Sequence, residues 1–317
     1  MRTATISNRT TLLLCAIAGT SIIASSTIAE EAKFQSRQVT PAGEYTFGIE
    51  GPAVDQGGNL YVVNFGKPGT IGKLAAGASQ SELFAVLPEG SIGNAIRFDP
   101  EGRMFVADYK KHNIFLVSPD GKDVETYFHS DDFNQPNDMT IAMDGTIYAS
   151  DPHWKRHDGQ VWRIRKSADG SVAGERMTAD RRMSTTNGID LSPDGKTLYV
   201  GESDTREIWS YRIDGTHLLS PRLVKRFDDF DIDGLRTDTG GNLFVARILK
   251  GTIAVLSPQG KLKREIALKA KEPTNLAFGG NDGKTVYVTQ RQGGFIEAFR
   301  TDRPGREACF QACAGHK

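Results

Sequence analysis

The chain has 317 residues, and its 39 lysines and arginines are balanced by 39 aspartates and glutamates. That balance, with no long basic cluster, argues against nucleic acid or an anionic membrane as a partner. The composition is that of an ordinary soluble globular protein, and the 34 glycines suit a turn-rich β fold.

The N-terminus reads as a secretory signal covering residues 1–29. Arg2 and Arg9 form a positive start, Thr11–Ile28 is apolar and uncharged, and Ala29 is a fitting cleavage residue. The competing reading is a membrane anchor. The apolar stretch is short, broken by Ser and Thr, and followed by no positive cluster, which favours cleavage. Cys15 follows a leucine rather than a small residue, which argues against lipidation. Cleavage removes two basic residues and no acid, leaving 37 against 39 and a mature charge near −2. The expected location is periplasmic or secreted, with no membrane association after cleavage.

Beyond the leader the chain repeats. Phe34–Thr40 is a lone strand-like segment. Then a glycine opens a β-rich run six times, at Gly58, Gly102, Gly145, Gly195, Gly241 and Gly283, with spacings of 44, 43, 50, 46 and 42 residues. In the first repeat Pro52–Asp55 reads as the inner strand, followed by Leu60–Phe65, Thr70–Leu74 and Glu82–Leu87. Turns such as Asp99-Pro100-Glu101-Gly102 suit tight hairpins, and the runs between them are rich in Val, Ile, Tyr and Phe. No segment carries a long helical stripe. The third repeat holds a longer polar insert at Asp151–Asp158. The sixth supplies three strands, ending at Phe295–Phe299. This pattern predicts an all-β, six-bladed β-propeller over residues 30–302, with the N-terminal strand closing the last blade, and a tail at 303–317. On this reading, loss of residues 34–40 is far more damaging than loss of 303–317.

Eight residues before each glycine stands an oxygen-bearing side chain: Glu50, Asn94, Asn137, Asn187, Asp233 and Asn275. If the repeats surround one axis, these six lie on one ring at the mouth of the channel. Asn and Asp also start strands after ordinary turns. Six in a row is a poor fit to that, and an idle amide in a narrow channel is costly. Amide and carboxylate oxygens suit a hard divalent cation, Ca²⁺ first, with Zn²⁺, Mn²⁺ or Mg²⁺ as other choices. The bland alternative is a water-filled polar channel.

The segments Ile49-Glu50-Gly51-Pro52, Pro136-Asn137-Asp138, Thr186-Asn187-Gly188-Ile189-Asp190 and Ile232-Asp233-Gly234-Leu235 resemble the metal-site motifs of the SMP-30/gluconolactonase/LRE-like family, in order and in register over residues 46–300. The resemblance implies a six-bladed propeller with one divalent cation held by Glu50, Asn137, Asn187 and Asp233. It also implies Asp233 as the catalytic residue, acting as base or nucleophile or serving only as a ligand. Asn94 and Asn275 fall on the same ring as secondary ligands or substrate contacts, and Asp138 and His153 are further candidates to line the pocket. Asp229 and Asp231 add local acid charge, Trp154 and His157 lie on the loop near the mouth, and Arg247 could meet an anionic substrate. Sugar-lactone members often carry Arg two residues before the Asn-Asp pair; Gln135 stands here, which puts an aldonolactone substrate in question.

The implied activity is metal-dependent hydrolysis of a lactone or related ester. A non-catalytic ligand- or partner-binding propeller with a structural cation is the alternative. A strictosidine-synthase-like propeller is a third, poorly matched by Glu50 and the Asn/Asp ring. Cys309 and Cys313 are open to a disulfide, free thiols or, with His316, a soft metal.

Overall fold

The computed structural model describes Met1 and residues 32–308, so the leader-like segment and Cys309, Cys313 and His316 lie outside the described residues. Residues 32–308 belong to one compact unit. It is built of β-strands, with one 3₁₀ turn at Trp154–Arg156 among the described residues.

After Arg37–Gln38 (β1), the first blade comprises Tyr45–Val54 (β2), Leu60–Phe65 (β3), Thr70–Leu74 (β4) and Glu82–Val86 (β5). The second comprises Gly93–Phe98 (β6), Met104–Asp108 (β7), Asn113–Val117 (β8) and Val124–His129 (β9). Met139–Ile141 (β10), Ile147–His153 (β11), Asp158–Lys166 (β12) and Val172–Arg176 (β13) form the third. In the fourth, Thr178–Ala179 (β14) adds a fifth, parallel strand to Thr186–Leu191 (β15), Thr197–Glu202 (β16), Glu207–Asp214 (β17) and His217–Arg226 (β18). The fifth comprises Leu235–Thr237 (β19), Leu243–Arg247 (β20), Thr252–Leu256 (β21) and Leu262–Ala267 (β22). Pro273–Gly279 (β23), Thr285–Gln290 (β24) and Phe295–Arg300 (β25) make the sixth, and β1 completes it antiparallel to β25.

The blades form a closed ring because each inner strand adjoins the next: β2 with β6, then β10, β15, β19, β23 and back to β2. Each interface is filled by its own apolar cluster. Between blades one and two, Val63, Ile71 and Ala85 meet Ile96, Val106 and Phe115. Each such aliphatic or aromatic side chain contributes about 1.5–3 kcal/mol on burial. Strand position sets composition. Inner strands such as β15 are buried throughout, whereas outer β22 buries only Ile266.

The six repeating glycines close the turn between first and second strands. All six have positive φ, from 67° to 80°, and each N–H donates to the carbonyl three residues earlier. That left-handed conformation favours glycine, which is why the repeat is visible in the sequence.

One expectation is corrected. The first inner strand starts at Tyr45, not Pro52, because its register slips on both sides of Glu50 and the chain pairs with β3 again upstream. The described part of the tail packs on the propeller. Residues 301–308 lie against the far ends of the inner strands, where Gly305 N–H donates to Gly283 O (3.2 Å) and Arg306 N–H to Thr237 O (2.9 Å). The Arg306 guanidinium then enters the channel: Nη2 donates to Thr140 Oγ1 (2.8 Å) and pairs with Asp190 (3.2 Å).

Candidate metal centre and active site

Where each inner strand begins, its ladder is irregular. Register slips flank Glu50 in β2, Asn94 in β6, Asn187 in β15 and Asn275 in β23. Asn137 and Asp233 stand just ahead of β10 and β19, with their N–H groups held by Ser150 O (2.9 Å) and Ala246 O (3.0 Å). Bulges re-aim side chains, and here they turn oxygens toward the axis. Small residues make room. A Cβ on Gly234 would sit 2.1 Å from Asn275 Oδ1, and one on Gly51 would sit 2.6 Å from Asn94 O.

Glu50, Asn94, Asn137, Asn187 and Asp233 line one cavity of about 470 Å³ at this end of the channel. Thr274, Arg291, Tyr109, Trp154, Phe47, Ile49, Ile92 and Pro68 also line it. Among the described residues no three His, Cys, Asp or Glu side chains converge as a metal cluster, so the oxygens here are mainly amide oxygens around two carboxylates.

Those carboxylates are half-buried in the cavity wall. Burial, and then the neighbouring Asp233 charge, push Glu50 well above the usual carboxylate range, despite the Gly51 N–H that donates to Glu50 Oε2 at 2.8 Å. Burial likewise raises Asp233, to about 7, while a hydrogen bond from Asn187 and the charge of Arg291 pull it back. Two acids crowded in a low-dielectric site, with amide oxygens beside them, are a fit for a divalent cation, which would relieve both burial and repulsion. Glu50, Asn137, Asn187 and Asp233 are the residues that would hold it.

The remaining candidates are placed differently. Asn275 sits deeper than the cavity wall: Leu276 N–H occupies its Oδ1 (2.9 Å), and its Nδ2 donates to Asp138 Oδ2 (3.3 Å). Asp138 is fully buried beneath the ring, not in the pocket wall, and two arginines converge on it, Arg97 at 2.6 Å and Arg236 at 2.9 Å. His153 does not line the cavity. It faces a shallow recess with Gln135 and Lys155, and its Nδ1 accepts from Arg156 N–H (3.2 Å), capping the 3₁₀ turn. The next residue, Trp154, reaches the cavity instead. His157 pairs with Asp204 at 2.8 Å on the surface. Arg247 is unavailable to a substrate: it is buried, stacked 3.6 Å from the Phe227 ring centroid, and hydrogen-bonded to Asp229 and Phe230. Asp229 is thereby tied to Arg247 and Lys250, and Asp231 is exposed.

Sequence reasoning missed Phe47, Tyr109 and Arg291. The latter two directly follow the second strands β7 and β24, but Tyr109 stands seven residues after Gly102 and Arg291 eight after Gly283, so no single offset from the turn glycine marks them. Arg291 pairs with Glu272 at 3.1 Å and lies 4.6 Å from the Phe47 ring centroid.

Residues 49–292 match the SMP-30/Gluconolactonase/LRE-like region. The chain belongs to this family. YvrE of Bacillus subtilis, a candidate sugar lactone lactonase, is 29% identical over 254 residues, which is 73% of this chain and 83% of that protein. The gluconolactonase of Zymomonas mobilis is 29% identical over 217 residues, covering 62% and 60% of the two chains. Among solved structures, a calcium-binding regucalcin of Agrobacterium tumefaciens superposes with a TM-score of 0.67 at 18% identity, over 85% of this chain and 97% of that one. That likeness establishes the shared propeller.

Proposed function

We propose that the chain hydrolyses a lactone or a related carboxylic ester at this cavity, using a divalent cation held by Glu50, Asn137, Asn187 and Asp233, with Ca²⁺ preferred. The observation that carries the reading is the pair of raised carboxylates sharing a cavity wall with three amides. The lactonase relatives support the reaction type. When bound, the cation supplies Lewis-acid polarisation of the ester carbonyl.

The protein's own groups do the rest. Asp233 is the base that takes a proton from the attacking water at a carboxylate oxygen. Asn187 orients that carboxylate, and its own Nδ2 is fixed by Ser203 Oγ at 3.0 Å. The Asn94 side chain donates to Asn137 O (3.2 Å), which holds the Asn137 backbone in place.

The test is a chelator-stripped protein assayed on lactones and aryl esters, with Ca²⁺, Zn²⁺, Mn²⁺ or Mg²⁺ restored singly. Turnover that returns with metal and is lost in Asp233→Asn and Glu50→Gln is expected. Metal binding and thermal stabilisation without turnover on any substrate would leave a ligand-binding propeller with a structural cation.

A further inference from the structure

The cavity has two unlike parts. Its floor is the oxygen ring. Its wall and rim carry Phe47, Pro68, Ile92, Tyr109 and Trp154. Phe47 is 69% exposed and Trp154 is 38% exposed, although both are large apolar side chains.

Three polar side chains of the wall, Asn64, Thr274 and Thr46, are already engaged within the protein. Asn64 donates to Gly48 O (2.6 Å) and accepts from Gly69 N–H (3.2 Å). Thr274 donates to Ile49 O (2.9 Å) and shares a second bond with Thr289. Thr46 Oγ1 accepts from Gly48 N–H (3.2 Å). Arg291 is neutralised by Glu272, and its guanidinium stacks on Phe47, which fixes that ring at the mouth. A polyhydroxylated lactone would bring more hydroxyls against this wall than Tyr109 and Arg291 can meet, and an unpaired hydroxyl is costly. An alkyl or aryl substituent would instead cover Phe47 and Trp154.

Resting on the lactonase reading above, we propose that the substrate is a lactone or ester with an apolar alkyl or aryl substituent rather than a polyhydroxylated sugar lactone. Phe47 and Trp154 are its specificity-determining residues. Gln135 agrees with this: it lies in the outer recess with His153, away from the cavity, and adds no polar group to the wall.

The experiment measures kcat/KM of the metal-loaded protein for γ-lactones with 4-alkyl chains of one to six carbons, beside glucono-δ-lactone. Burial of each methylene should raise kcat/KM about fourfold, equivalent to about 0.8 kcal/mol, until the rim is covered. In Phe47→Ser and in Trp154→Ser the dependence on chain length should flatten, with melting temperatures near that of the parent because both side chains are exposed. A preference for glucono-δ-lactone with no dependence on chain length would overturn this proposal and leave the lactonase reading intact. A steep dependence unchanged in both variants would overturn the assignment to Phe47 and Trp154. No turnover on any lactone or ester would overturn both readings together.

Discussion

Replacing Arg306 by Met tests whether the tail is part of the fold. Arg306 is 4% exposed and Asp190 is 2% exposed, and they pair at 3.2 Å inside the channel. Removing one partner of a buried ion pair costs about 3–5 kcal/mol, because the other charge is left uncompensated. Asp190 keeps three other donors, Thr140 Oγ1 (2.7 Å), Thr237 N–H (2.7 Å) and Thr237 Oγ1 (2.9 Å), so the lower end of that range applies. At about 2–4 °C per kcal/mol for a domain of this size, the melting temperature should fall by about 6–12 °C. The assay is thermal melting by circular dichroism of the parent, Arg306→Met, Asp190→Asn and the double variant. Neutralising both partners should recover part of the loss, because neither member of the pair is then left charged without the other. A melting temperature within 2 °C of the parent for Arg306→Met, or a double variant that melts no higher than the worse single, would refute the reasoning.

Asp138→Asn should be at least as damaging, losing about 3–5 kcal/mol in denaturant titrations, since it strands both Arg97 and Arg236 beneath the ring. Deleting residues 34–40 should bare the edge of β25 and release the Ser36 bond to Glu297 (2.5 Å), giving aggregation measurable by light scattering. Glu50 and Asp233 titrate higher in the folded chain than in the unfolded one, so the stability that their protonation contributes is full below about pH 4 and is lost as pH rises, for Asp233 through about 7. The chelated protein should therefore melt lower at pH 8 than at pH 5.5. Added Ca²⁺ should raise the melting temperature more at pH 8, and a chelated protein equally stable at both values would contradict the crowded-acid picture. Glu50→Gln should melt higher than the parent at pH 8 when both are chelated and should lose the stabilisation by Ca²⁺, as followed by calorimetry.

What the sequence made legible was whatever the backbone restricts. Gly58 and its five counterparts recur because a left-handed turn requires them, and that register fixed blade number and strand order. The same register located five oxygens that line one cavity. Side-chain direction was less legible. Asp138 follows Asn137 directly, and at the irregular start of an inner strand alternation no longer assigns neighbours to opposite faces, so both turn toward the axis at different depths. His153 and Trp154 exchange their expected places for a similar reason: the 3₁₀ turn spends the histidine as its cap and carries the tryptophan to the cavity.

A second layer was present in the sequence but carries no obvious motif. Three residues after the ring positions stand Ala53, Arg97, Thr140, Asp190, Arg236 and Phe278. In a strand this offset is about 10 Å down the channel. The charged members of this layer are neutralised by groups that the repeat does not predict: Asp138 from the turn above, which takes Arg97 and Arg236, and Arg306 from the tail below, which takes Asp190. No single blade supplies both partners of any of these pairs. The column therefore becomes electrically satisfied only when the ring has closed and the tail has entered. That ties the floor of the cavity to the integrity of the whole propeller, and it places Arg306, far along the channel from Glu50 and Asp233, among the residues on which the geometry of their site depends.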